Sequence, residues 1–180
     1  MVLKRSDEII EQFLKNIRLF WQVIFLLSVS IYGLSFLHYL NYRPAAVWLF
    51  YFKTIDLSSF ALALALAIAI LLYKRKYFSL RKLKMMLTIL HRQNREFDET
   101  QLIKQLTGML RSRLKGVWLM GLALIVLGII FYWWTFTTKN MHIYFIVGLY
   151  SLVMNYPRKD LFADIPYLAH EVLKEDAQPA

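Results

Sequence analysis

The sequence contains no cysteine. That excludes disulfides, thiolate metal ligands, a cysteine nucleophile and covalent c-type haem attachment. Glycine and proline are scarce, at 6 and 4 of 180 residues. There is no G-x-S-x-G elbow and no glycine loop that could cradle a phosphate. Gly33-Leu34-Ser35-Phe36 lacks the second glycine of an intramembrane serine protease site. The most informative absence is positional. No Asp, Glu, Lys or Arg falls within four apolar runs, Leu19–Tyr39, Leu57–Tyr73, Gly116–Phe136 and Met141–Tyr156. Ion-coupled pumps and transporters usually carry such a group at membrane depth, so this argues against that class.

What is present is hydrophobic and basic. The chain is 58% hydrophobic with a formal net charge of +10. The run Leu19–Tyr39 is 21 residues long, enough to cross a hydrocarbon core of about 30 Å as a helix. It is too long for a signal-peptide core, and no A-x-A site follows it. Leu57–Tyr73 alternates alanine with leucine or isoleucine. That period suggests a strand, but a lone strand in lipid leaves its backbone groups unpaired, so a helix is expected. On a helix, Ala61, Ala65 and Ala69 form one small-residue stripe and Ala63 and Ala67 another, as for a helix with partners on two sides. In the third run Gly121 and Gly128 share a face and allow close packing. The fourth run is short, and Pro157 ends it.

The segment Lys74–Lys115 separates the two pairs of runs. It holds twelve bases (Lys74, Arg75, Lys76, Arg81, Lys82, Lys84, Arg92, Arg95, Lys104, Arg111, Arg113 and Lys115) against Glu96, Asp98 and Glu99, a net +9. In a soluble protein such a patch would point to nucleic acid. Between membrane spans it reads instead as a topology signal and a contact for anionic lipid, and no nucleic acid is expected. The positive-inside rule places it, and both termini, in the cytoplasm. Trp21 and Trp118 then fall at inner ends and Trp48, Trp133 and Trp134 at outer ends, as interfacial belts do. A bacterial inner (plasma) membrane is the expected location.

Within this segment no breaker separates Tyr73 from His91, so the second span is expected to run on. Leu80, Leu83, Leu87 and Leu90 recur at helical spacing. Asp98 with Gln101 makes a capping box for a second helix bearing Leu102, Ile103, Leu106, Met109, Leu110 and Leu114. Two such helices make a hairpin. Its apolar face, especially Leu83, Leu87, Leu90, Leu106 and Leu110, is the expected partner-binding surface. Lys74, Arg75, Lys76, Arg111, Arg113 and Lys115 are expected to meet lipid headgroups. At the N-terminus Ser6 can cap an amphipathic helix with Ile9, Ile10, Phe13, Leu14 and Ile17 on one face. It either lies on the membrane or extends the first span. Arg43-Pro44 and the cluster Trp48–Lys53 read as a short connection, with Asp56 and Ser58 capping the next helix. In the tail, Pro166 starts a short helix through Tyr167, Leu168, Val172 and Leu173, and residues 174–180 read as frayed.

Few residues suggest chemistry. His38 and His142 fall near the outer ends of the first and fourth runs, where two imidazoles on facing helices could ligate haem or line a quinone site. The plainer reading is two interfacial histidines. His170-Glu171-Val172-Leu173-Lys174 begins like H-E-x-x-H but lacks the second histidine that zinc requires. His91 and Glu96 have the spacing of a histidine base and its acid, with Glu in place of Asp. Tyr156-Pro157-Arg158-Lys159-Asp160 reads as a span end.

These features define an all-α membrane protein. It is a single polytopic domain: residues 1–18 a cytoplasmic amphipathic helix, 19–39, 57–73, 116–136 and 141–156 transmembrane, 74–115 the basic hairpin, and 157–180 a cytoplasmic tail. The expected function is a non-catalytic subunit, scaffold or assembly factor of a larger membrane complex, with no cofactor and no metal, and with lipid and a protein as partners. The alternatives are a small oligomeric pore using polar residues such as Ser28 and Ser151, and a haem or quinone subunit using His38 and His142.

Overall fold

The computed structural model describes residues 2–42 and 51–177. Among these the order is α1 (Val2–Tyr42), α2 (Phe52–Tyr77), α3 (Leu80–Gln93), α4 (Glu99–Thr135), α5 (Thr138–Met154), a short 3-10 turn (Lys159–Phe162) and α6 (Ile165–Ala177), with no strand. The helices α1, α2 and α4 contain stretches long and apolar enough to cross a membrane, the mark of an integral membrane protein. The Arg43-Pro44 break and the Trp48–Phe50 part of the aromatic cluster lie outside the described residues.

The chain falls into two compact units. Unit 1 comprises Met1–Phe20, Tyr73–Lys115 and Pro157–Ala180. Unit 2 comprises Trp21–Leu72 and Gly116–Tyr156. Their joints fall close to the points where charge gives way to apolar sequence, because the two compositions require different packing.

Unit 1 is built like a water-soluble helical core. Ile10, Phe13, Leu14 and Ile17 of α1 are buried, as are Leu83 and Leu87 of α3, Leu102, Ile103, Leu106 and Leu110 of α4, and Phe162, Ile165, Ala169 and Val172 of the C-terminal segment. Phe13 meets Phe162 edge to face, with centroids 5.4 Å apart. Each fully buried side chain of this size contributes roughly 1.5–3 kcal/mol, so this core is a major source of stability.

Several local expectations change. Ser6 lies inside α1 instead of capping it, and its hydroxyl donates to Glu99 Oε1 at 3.0 Å. The helix from the second span stops at Tyr77, and Ser79, with extended ψ of 142°, starts α3. Ser79 occupies the N-cap position without a side-chain capping bond, and the leucine repeat of α3 begins directly after it. The capping box at Asp98 forms as expected: the Gln101 amide donates to Asp98 Oδ1 at 2.8 Å and the Asp98 amide to Gln101 Oε1 at 3.2 Å. The helix it starts runs unbroken to Thr135. In the tail, α6 starts at Ile165 and keeps Lys174 and Glu175 helical. Its inward residues are Ile165, Ala169 and Val172, whereas Tyr167 is 70% exposed.

Unit 2 packs through small residues. In α2 the buried residues are Ser59, Ala63 and Ile70, all on one face. Ala63 is buried and Ala67 and Ala69 are half-buried, whereas Ala61 and Ala65, at the N-terminal end of the other stripe, are exposed. The helix begins at Phe52, which puts Asp56 and Ser58 inside it instead of at its cap. Between α4 and α5 a two-residue link holds Phe136 at a φ of 54°, a left-handed conformation that non-glycine residues seldom adopt. It reverses the chain tightly, so α5 lies against α4. A Cβ on Gly121 would stand 3.2 Å from Leu152 Cδ2, and one on Gly128 would stand 3.0 Å from Tyr144 Cβ. Gly148 completes the seam from the other side, where a Cβ would meet Ile125 Cγ1 at 2.6 Å and the Gly121 carbonyl oxygen at 2.8 Å.

Candidate functional site

Two places gather polar side chains in unit 2. The first surrounds His38. Its Nδ1 lies 2.8 Å from the Tyr132 hydroxyl, and Trp133 packs against its ring with centroids 4.4 Å apart. The Trp133 indole donates to Ser35 Oγ at 3.2 Å. Tyr132 is completely buried, so this hydrogen bond satisfies a hydroxyl that would otherwise be costly to desolvate. The second place surrounds His142. Its Nδ1 lies 2.9 Å from the Tyr32 hydroxyl, and Tyr32 stacks on Phe145 at 3.7 Å. Nearby in sequence, Ser59 Oγ and the Tyr144 hydroxyl are 3.1 Å apart, and Asn140 Nδ2 donates to Asp56 Oδ1.

These pairs bear on the two histidines singled out in the sequence. Each is engaged at Nδ1 by a different tyrosine, so ligation through that atom would break an existing bond. Axial coordination would have to use Nε2. Among the described residues, no three His, Asp or Glu side chains group as metal ligands. The tyrosine partners were missed because an isolated Tyr in an apolar run has no motif. Its signal appears only when another helix brings a histidine opposite.

The tryptophans expected at the inner interface have another role. Trp118 is fully buried, and its indole donates to the Asn155 carbonyl at 2.9 Å. Trp21 donates to the Leu152 carbonyl, also at 2.9 Å. Both carbonyls belong to the C-terminal end of α5, where the helix leaves its own acceptors unsatisfied. Trp133 and Trp134 remain 48% and 58% exposed.

No family model, no curated protein and no solved structure matches this chain. Its functional candidates are therefore read from its own geometry.

In unit 1 the leucines expected to meet a partner are placed inside. Leu87, Leu106 and Leu110 are fully buried and Leu83 is 3% exposed, while Leu90 is half-buried. Their hydrophobic face is occupied by the unit's own segments, α6 among them. Lys84 ties α3 to α6 through Glu175 at 2.7 Å and Glu171 at 3.0 Å. First the Glu175 and then the Glu171 hydrogen bond hold its ammonium above the usual lysine range. Lys159 is raised in the same way by its hydrogen bond to Glu11. Near the start of α4, Glu99 is buried, bonded by Ser6 and 3.6 Å from His170 Nδ1.

Of the bases assigned to headgroups, Arg75, Lys76 and Arg111 are exposed and Lys74, Arg113 and Lys115 half-buried. Arg113 lies over the Tyr77 ring at 3.8 Å and Lys115 over the Phe20 ring at 4.5 Å. Among the described residues, unit 1 also has open grooves. A polar one of 620 Å³ is lined by residues including Gln12, Asn16, Gln101, Lys104 and Arg111. A smaller, more apolar one lies beside α3.

Proposed function

We propose that this chain is a non-catalytic integral membrane subunit, scaffold or assembly factor that holds a partner helix within the bilayer. In this reading α5, 17 residues long, makes a fourth crossing after α1, α2 and α4. At about 1.5 Å per residue it covers roughly 25 Å, enough with its aromatic flanks and a slightly thinned bilayer. The basic segment and both termini face the cytoplasm of a bacterial inner membrane, following the distribution of Lys and Arg.

The observation that carries the proposal is the uncovered side of α2. Only 11% of its apolar window is buried, against 50% for α4. Its outward surface is not uniformly bulky, because Ala61 and Ala65 are exposed among large residues such as Leu62, Leu64 and Ile68. Lipid tails pack equally well on bulky residues. Small residues on a helix face specifically allow another backbone to come close. The stripe already used inside the chain, around Ala63, illustrates the same principle.

The test is extraction of the native complex in a mild detergent. The chain is expected to bring a defined membrane protein with it. Ala61→Leu with Ala65→Leu should release that protein while leaving the chain's own melting temperature unchanged. Recovery of the bare chain under conditions that preserve other membrane complexes would overturn the proposal.

A further inference from the structure

The helix α3 has two apolar faces. Leu83 and Leu87 are consumed by the core of unit 1. The other face is open: Met85 and Ile89 are 45% and 48% exposed, and Met109 of α4 is 40% exposed. These side chains form part of a groove of about 330 Å³. Lys76, Lys82 and Arg113 also line it, and no carboxylate does among the described residues. The Arg113 guanidinium is set over Tyr77. Its Nη1 is buried and has no hydrogen-bond partner among the described residues. A desolvated guanidinium nitrogen calls for an acceptor, and a phosphate suits the planar fork of arginine best.

The groove therefore matches an anionic amphiphile. Position along the chain selects which kind. Lys76 comes three residues after Tyr73, the end of one apolar run, and Arg113 three residues before Gly116, the start of another. At 1.5 Å per helical residue, each stands about 4–5 Å beyond apolar sequence. That is the depth of lipid headgroups, and anionic lipid concentrates bases there. Methionine is unbranched and adaptable, suited to a flexible chain of variable shape.

We infer that this groove binds one anionic phospholipid, its phosphate held by Arg113, Lys82 and Lys76 and an acyl chain laid over Met85, Ile89 and Met109. The site does not depend on the chain having a protein partner.

The test uses the full chain in a neutral detergent, titrated with short-chain phosphatidylglycerol or phosphatidylcholine of equal acyl length. Native mass spectrometry counts bound lipid. One phosphatidylglycerol should bind about tenfold tighter than phosphatidylcholine, which carries the same phosphate but also a choline cation that the three bases repel; tenfold corresponds to about 1.4 kcal/mol. Lys82→Gln with Arg113→Gln should remove that preference. Arg92→Gln with Arg95→Gln makes the same charge change at exposed positions outside the groove and should retain it. Met85→Gln with Ile89→Gln should weaken binding with every base in place. Should the Arg113 variant unfold, Lys82→Gln alone, at an exposed position, still reports a reduced preference.

Equal binding of the two lipids would overturn the inference. So would equal losses in the groove and control pairs. Inorganic phosphate competing as well as the lipid would overturn the acyl-chain contact, and with it the site as stated. An acidic protein that occupies the groove and excludes phosphatidylglycerol would replace lipid as the occupant.

Discussion

Replacing Gly148 with alanine tests the packing of unit 2 most directly. The added carbon would lie 2.6 Å from Ile125 Cγ1 and 2.8 Å from the Gly121 carbonyl oxygen. Ordinary carbon contacts are about 3.5–4.0 Å. Ile125 is fully buried and has little room to turn away. The Gly121 oxygen belongs to helix backbone and moves only if α4 moves. Overpacking of this kind costs about 1–3 kcal/mol. Alanine itself gains about 0.5–1 kcal/mol over glycine in a helix interior, so a reference is needed. Gly33 and Gly108 supply it, because an added Cβ at either meets nothing within 4 Å. In a chain of this size each kcal/mol shifts the melting temperature by about 2–4 °C, so Gly148→Ala should melt about 2–12 °C below Gly33→Ala. A thermal scan of the detergent-solubilised protein by tryptophan fluorescence reads this well, since Trp21 and Trp118 are both bonded to the end of α5. If Gly148→Ala is as stable as Gly33→Ala and Gly108→Ala, the close α4–α5 seam is wrong.

Other perturbations separate the two units. Leu106→Ala, at a fully buried position of unit 1, should destabilise that unit by about 2–5 kcal/mol. Protease protection of the α3–α6 region checks this. Trp118→Phe removes the indole donor from the Asn155 carbonyl and should cost about 1–3 kcal/mol, seen as a lower melting temperature and faster hydrogen exchange at the end of α5. The Lys84 ammonium is held above its ordinary range by Glu175 and Glu171. Its contribution is thus fully present below the unfolded lysine value of about 10.4 and is lost as pH rises through the folded value. Docking of α6, followed by hydrogen exchange, should be unchanged from neutral pH to about 10 and weaken only above that. In Lys84→Gln that alkaline step should disappear.

Periodicity is local and was legible; of the expected caps only the Asp98–Gln101 box formed, while Ser6, Asp56 and Ser58 lie inside their helices. The inward set Ile10, Phe13, Leu14 and Ile17, the Asp98–Gln101 box and the close approach at Gly121 and Gly128 all follow from spacing and residue type. The break at Ser79 was not legible, because no glycine or proline marks it and its serine makes no capping bond. The fate of the α3 leucines was not legible. A periodic apolar face shows that something will cover it. Whether lipid, a partner or the chain's own tail does so depends on residues more than 80 positions away. The same limit hid the role of α6: its helix was expected from Pro166 to Leu173, but its docking against α3 was not, and Lys174 and Glu175, read as frayed, are helical.

The sequence by itself determined where the charge stops and which three stretches are long and apolar enough to cross a membrane, because transfer into lipid depends on the sum of side chains along one helix. Tertiary structure decided which faces remain available. It placed Leu83 and Leu87 inside, turned Met85 and Ile89 outward beside Lys82 and Arg113, buried Trp118 on a helix end and left Ala61 and Ala65 uncovered. Those outcomes depend on which segments meet, and helical spacing alone does not specify the partner across the seam.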